Sequence, residues 1–250
     1  MHHVVQEILK RTKERLVGLP EVAPRVRSGD RRDLVRSAET IKRRGMTPII
    51  AEIKPRVLGR KLTFDEISQY ADLYTKFGAC GVSVLTEETY FMGSPGSISI
   101  ARNSTKLPVL RKDFILDERQ LNEAEADLVL LIAGITPRLG DMVDAVRGLG
   151  MEPLVEAHTV EELRAALDAD AGIIGINNRS LKTLEVDLST FERLGPVAKS
   201  AGVFLVAESG VYTRGDASRM VQAGADALLV GTSLMKEPER LVELNGMGCG

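Results

Sequence analysis

Six side chains suited to handling protons and polar substrates stand at or near the ends of apolar runs in this 250-residue chain. Lys54 follows the run 49–53, and Glu52 lies two residues before it. Lys112 follows 107–110, Glu156 follows 153–155, Asn177 follows 173–176 and Glu208 follows 203–207. Two amines and three carboxylates drawn into one cavity are costly unless they pair, and pairing moves their pKa values toward working pH. Such a set fits general acid–base work on a polar substrate. The same residues could instead form a salt-bridge layer filling the interior of the fold. A layer built for stability would lie in mid-strand, whereas five of these six lie where the runs stop.

The elements that must position them repeat. Eight apolar runs, 49–53, 81–85, 107–110, 128–132, 153–155, 173–176, 203–207 and 227–230, end at points 21 to 32 residues apart. That pitch fits a strand, a helix and two short loops. The runs are nearly continuous, as expected of parallel strands covered on both faces. Between them, Thr63-Phe-Asp-Glu66 reads as a capping box opening a helix over 64–77, and Thr159-Val-Glu-Glu162 opens another. Helical patterns also cover 141–150 and 216–224. The pattern predicts an α/β fold, a single (β/α)8 TIM barrel, whose strand ends open on one face.

Before the first run, Val5, Ile8, Leu9 and Leu16 fall at helical spacing, as do Leu34, Ala38 and Ile41, with Gly45 as a stop. Pro20 and Pro24 separate the two segments. The expected organisation is one domain: a helical extension over 1–46, the barrel over 47–240 and a tail over 241–250, part of it disordered. The extension either caps the barrel floor or reaches across its mouth.

Composition narrows the classes. Hydrophobic content of 44%, charged content of 27% and a net charge of −2 are ordinary for a globular chain and give no global attraction to polyanions. Residues 1–45 carry twelve Lys/Arg against six Asp/Glu, but these interleave with apolar residues and read as a solvated helical face. Neither nucleic acid nor a membrane is an expected partner. Cys80 and Cys249 form no disulfide framework, and His2, His3 and His158 lack a metal-ligand partner at useful spacing. No metal and no organic cofactor are expected. Without an apolar signal core, the expected location is cytoplasmic.

Two further clusters lie at the run ends. Ala207-Glu-Ser-Gly210 and Val230-Gly-Thr-Ser233 put small residues after the seventh and eighth runs, where backbone N–H groups can approach a phosphate. Ser209, Gly210, Gly231 and Thr232 are the candidate cradle; a pair of ordinary tight turns is the alternative. Tyr90, Phe91 and Phe114 also cluster there, either to sandwich a planar ring or to pack loops on the rim.

Read together, Ile50-Ala-Glu-Ile-Lys54, Pro108-Val-Leu-Arg-Lys-Asp-Phe114, Glu152-Pro-Leu-Val-Glu156, Gly175-Ile-Asn-Asn-Arg179 and the two small-residue turns resemble the indole-3-glycerol phosphate synthase family. The match covers about residues 48–236 in order. The resemblance implies ring closure of 1-(2-carboxyphenylamino)-1-deoxyribulose 5-phosphate with loss of carbon dioxide and water. It implies Lys112, its pKa lowered, as general acid at the ketone oxygen and Glu156 as its acid/base partner in dehydration. Lys54, held by Glu52, would place the substrate carboxylate. Asn177 and Glu208 would bind polar groups, Arg179 would support the mouth, and Phe91 and Phe114 would flank the anthranilate ring. The implied partner is a small phosphorylated substrate, with association with other tryptophan-pathway enzymes left open.

The loop after Lys54 departs from the family pattern. Lys54-Pro-Arg-Val-Leu-Gly-Arg-Lys61 has Val57 where the family has a phosphate-binding serine, so Arg56, Arg60 or Lys61 is expected to replace that contact. Met92 also stands where a polar residue is usual. Two other readings remain. An Amadori-type isomerase of the same fold would need a Cys/Asp or Asp/Asp pair at the first and fifth strand ends, where this chain has Lys54 and Glu156. A degenerate non-catalytic barrel would not need Lys112, Glu156 and Asn177.

Overall fold

The strands close into a ring. In the computed structural model, which describes all residues except 22–25, 28, 30, 58 and 247–250, β1 is Ile49–Ile53, β2 Gly81–Leu85, β3 Val109–Lys112 and β4 Leu128–Ile132. The second half comprises β5 Glu152–Ala157, β6 Ile173–Asn177, β7 Phe204–Glu208 and β8 Ala227–Val230. Each strand pairs in parallel with its neighbours, and β1 pairs with both β2 and β8. Pro24, Cys249 and the end of the expected tail lie outside the described residues, as does the side chain of Val57.

Ten helices are described: α1 His3–Val17, α2 Leu34–Lys42, α3 Phe64–Lys76, α4 Gly96–Ser104, α5 Leu139–Gly148, α6 Val160–Asp168, α7 Ser189–Ser200, α8 Arg214–Gln222, α9 Thr232–Lys236 and α10 Arg240–Asn245. The Thr63 capping box forms in both directions, Thr63 accepting from the Glu66 N–H and Glu66 accepting from that of Thr63. The segment 241–250 begins inside α10, whose Leu241 and Leu244 are buried in the core. No helix among the described residues is long and apolar enough to cross a membrane.

Two apolar layers hold the barrel. Outward-facing strand residues such as Ile53, Val84, Val129 and Ile174 pack against the helices. Inward-facing Ile50, Leu110, Leu130, Leu154, Val206 and Leu229 fill the barrel and join Leu34, Ala38 and Ile41 of α2. Thus α2 plugs the floor, where Ser37 Oγ also donates to the Cys80 carbonyl just before β2. Helix α1 does the opposite job. Its Val5 and Ile8 line the cavity at the mouth, and His2 N–H donates to the Leu181 carbonyl. The extension therefore serves both ends of the barrel.

Four strands extend further than the apolar runs predict. Lys112, Asn177 and Glu208 are the last residues of β3, β6 and β7, and Glu156 lies inside β5. The ladder explains it: Leu85 pairs with Lys112 and Asn177 with Glu208, so backbone pairing continues although the side chains turn polar.

Candidate active site

Side chains alternate faces along a strand, so residues two apart share the interior. The apolar layer of Ile50, Leu110, Leu154 and Val206 is therefore followed, one step toward the mouth, by Glu52, Lys112, Glu156 and Glu208. Room for this charged layer comes from missing side chains. A Cβ on Gly175 would overlap the Glu208 carboxylate, and one on Gly231 would overlap that of Glu52 and crowd Lys54 Cε.

Above this layer is a cavity of about 300 Å³. Apart from the cations of the loop after Lys54, the candidate residues named from the sequence line it: Glu52, Lys54, Phe91, Lys112, Phe114, Glu156, Asn177, Arg179, Glu208, Ser209, Gly210, Gly231 and Thr232. Lys112 Nζ lies 3.0 Å from Glu156 Oε2 and 2.5 Å from Glu208 Oε2. Across the cup, Lys54 Nζ donates to Thr232 Oγ1 at 2.9 Å and sits 3.5 Å from Glu52 Oε1. Lys54 thus links the acid layer to the small-residue turn after β8.

The charges in this cup are not equivalent. Burial works against the Lys112 ammonium, but the nearby charges of Glu156, Glu208 and Glu52 outweigh it and push its pKa up. The expected lowering does not occur, because three carboxylates surround one amine. Burial likewise opposes the Glu156 charge, yet Lys112 and then His158 overrule it and push the carboxyl below its usual range. For Glu208, burial and the neighbouring Glu156 charge prevail over Lys112, and the carboxyl is pushed up to about 8. Lys112 and Glu156 thus favour each other's charged forms, and Glu208 is the carboxyl whose charge the cup disfavours. Its Oε1 is buried without a hydrogen-bond partner.

The rim is built by backbone and side-chain ties. Asn177 Oδ1 accepts the Arg179 N–H at 2.9 Å, and Arg179 Nη1 donates to the Leu184 carbonyl at 2.8 Å. Arg179 also forms an isolated bridge with Val186, which shapes the loop after β6. Ser209 and Gly210 both have positive φ, 64° and 87°, so the chain turns sharply beneath the opening. Ser233 Oγ is buried, unpartnered and on the cavity wall. Phe91 and Phe114 line the same cavity, with Tyr90 edge-on to Phe91 at 5.0 Å.

The altered loop after Lys54 forms a small antiparallel hairpin, Arg56–Val57 with Arg60–Lys61. Two of its three cations are engaged by neighbouring residues, one of them by Tyr90 on the cavity wall. Arg56 stacks on Tyr90 at 5.5 Å and donates to the Tyr90 carbonyl, and Arg60 pairs with Glu66 at 2.5 Å. Lys61 is exposed. None of the three lines the cavity, so the expected replacement of the serine contact by one of them is not seen in this structure.

The sequence reading gave His158 and Glu162 no part in the site. His158 faces Glu156 and Glu162 with its two ring nitrogens, at 3.2 and 3.0 Å. A signal was available, because His158 stands two residues beyond Glu156 on one strand direction and four before Glu162 at a helix start.

A family model described as indole-3-glycerol phosphate synthase matches residues 4–245. The chain belongs to the indole-3-glycerol phosphate synthase family. Curated relatives of that name agree. The one from Halobacterium salinarum is 48% identical over 78% of this chain and 78% of its own length. That from Carboxydothermus hydrogenoformans is 44% identical over 78% of this chain and 77% of its own. Among solved structures, an N-acetylmannosamine-6-phosphate 2-epimerase from Clostridium perfringens superposes with a TM-score of 0.60 at 15% identity. It covers 77% of this chain and 90% of the epimerase, and the likeness is one of fold. For this indole-3-glycerol phosphate synthase family member, the match reaches back through α1, so the helix lining the mouth is included in it.

Proposed function

We infer that the chain is a carbon–carbon lyase of tryptophan biosynthesis that makes indole-3-glycerol phosphate from 1-(2-carboxyphenylamino)-1-deoxyribulose 5-phosphate. The observation that carries the reading is Lys112 Nζ 3.0 Å from Glu156 Oε2 in a cavity whose wall also includes the turns after β7 and β8. Substrate phosphate is held by Ser209, Gly210, Gly231 and Thr232, and the anthranilate ring lies between Phe91 and Phe114. Lys54, steadied by Glu52, places the substrate carboxylate; Asn177 and Glu208 bind hydroxyl and carbonyl oxygens, and Arg179 shapes the loop beside them.

In ring closure, the ring carbon bearing the carboxylate attacks the ketone carbon while Lys112 protonates the developing alkoxide. Carbon dioxide then leaves, its bonding electrons restoring the aromatic ring. The new hydroxyl departs as water after accepting a proton, and a hydrogen is lost from the adjacent carbon to complete the indole; Glu156 serves as acid/base here. The raised pKa of Lys112 has a consequence. Lys112 is a poor acid while clamped by carboxylates, and becomes a useful one when substrate displaces it toward the ketone. A positioned acid or base contributes about 100- to 10,000-fold, and holding ring and carbonyl together removes much of the entropic barrier. A cytoplasmic location belongs to the same reading.

Purified protein mixed with this substrate should produce indole fluorescence. Isomerisation of phosphoribosylanthranilate with no indole signal would replace the reading by the isomerase one, and binding without turnover would favour a non-catalytic barrel.

A further inference from the structure

Glu156 is gripped from two sides. Its Oε2 faces Lys112, while Oε1 lies 3.2 Å from His158 Nε2 in an ion-pair contact without hydrogen-bond alignment. The far side of the ring is also committed. His158 Nδ1 is 3.0 Å from Glu162 Oε2, and that same oxygen accepts the His158 backbone N–H at 2.7 Å. A neutral imidazole has only one N–H, so facing a carboxylate oxygen at both nitrogens favours the imidazolium. Burial opposes that charge, but the contacts with Glu156 and Glu162 prevail and the ring is pushed up to about 10.

The seat is built rather than incidental. Glu162 occupies the first turn of α6, where Thr159 accepts its N–H while its carboxylate reaches back to His158. Gly134, after β4, leaves space for it, since a Cβ there would overlap the Glu162 carboxylate. Among the described residues, Glu156 and Glu162 are the charged groups within ion-pair distance of the ring; Lys112 from β3 and Glu208 from β7 act on it through Glu156.

We propose that His158, clamped as an imidazolium by Glu162, is a positioning residue that fixes one oxygen of Glu156 and leaves the other to exchange protons with substrate. The proposal rests on the acid/base role of Glu156 inferred above. Its physical reason is the movement of Lys112. When Lys112 turns to the ketone oxygen, Glu156 loses a countercharge inside a buried cup. His158 supplies a second one that stays in place, so the carboxylate neither takes up a proton early nor follows the ammonium.

The test combines kinetics with spectroscopy of the full chain. In wild type, 15N NMR of labelled histidine should show one ring with both nitrogens protonated at pH 8, and that signal should vanish in His158→Gln. His158→Gln should lower kcat about 10- to 100-fold with KM within about twofold, the scale of a misplaced reacting group. Because Glu156 loses a stabilising charge, the acid limb of kcat should move to higher pH by about one unit. Glu162→Gln, a change at a partly exposed position, should shift the limb in the same direction by less, and it carries the test if His158→Gln does not fold. A neutral ring at pH 8, or an unmoved acid limb and unchanged kcat in the folded variant, would overturn the proposal. An inactive wild type would instead remove the proposed reaction, while the NMR signal would still decide the charge of the ring.

Discussion

Strand β3 carries two charged networks one residue out of phase, and they differ in how far they open on the cavity: Lys112, Glu156 and Glu208 all line it, whereas Arg111 and Glu123 of the outer network do not and only Asp113 reaches its wall. Lys112 points into the cup, where it meets Glu156 and Glu208. Arg111 points the other way and is fully buried. Its Nε donates to Thr86 Oγ1, Nη1 to the Gln120 carbonyl, and Nη2 to Asp113 and Glu123. Asp113 also accepts from Thr86 Oγ1 and the Phe114 N–H, and Arg15 of α1 pairs with Glu123. The outer network has its donors and acceptors matched and ties α1 to the loop after β3. The inner one leaves Glu208 Oε1 without a side-chain or backbone hydrogen-bond partner and lines the cavity. A saturated buried network resists change and serves structure; an unsaturated one beside a cavity has bonds to offer a substrate.

The sharpest way to break this comparison is to neutralise one member of each network. Glu156→Gln should reduce indole formation by about 100- to 10,000-fold, measured by fluorescence at matched folded protein, with a smaller loss of stability than Arg111→Met because Lys112 keeps Glu208 and His158 keeps Glu162 as countercharges. Arg111→Met should do the reverse. It strands Asp113 and Glu123 without their cation, which costs about 3–5 kcal/mol in stability, read from urea unfolding. Gly231→Ala sharpens the inner half. Its methyl group would press on Glu52 and Lys54, and displacement of that scale should lower kcat/KM about 100-fold.

Smaller effects separate the neighbouring charges. The His158 ring binds its proton more tightly in the folded chain, at about 10 against 6.5 unperturbed. Its contribution to stability is therefore complete below about pH 6.5 and disappears as the pH rises through about 10. The gap in melting temperature between wild type and His158→Gln should accordingly close over that window. Arg60→Ala should leave KM for substrate unchanged, because Arg60 is occupied with Glu66 at the surface. A several-fold rise in KM would mean that the hairpin rearranges to reach phosphate.

Much of this was legible in the amino-acid order because apolar parallel strands and their polar ends follow simple periodic rules. Glu52 and Lys54 lie two apart, and so share a face whatever the details of the loops. The strand ends were less legible where the inward face turns polar, as at Lys112 and Glu208, since burial and polarity part company there. Helix α4, with its Ser-rich start, and α7, with Pro196 inside it, lack the usual helical signals and are held by packing on the barrel. The direction of the Lys112 shift was out of reach, because it depends on how many carboxylates surround the amine. His158 was read only for metal spacing, and its partners appear once β5 and α6 are side by side.

Lys112→Ala is the most direct probe of the central claim. Substrate binding by calorimetry and indole formation by fluorescence should be measured on the same preparation. The account predicts affinity within about tenfold of wild type and a turnover lower by about 100-fold or more. Near-normal turnover in that variant would take the ammonium group out of the chemistry and contradict the account.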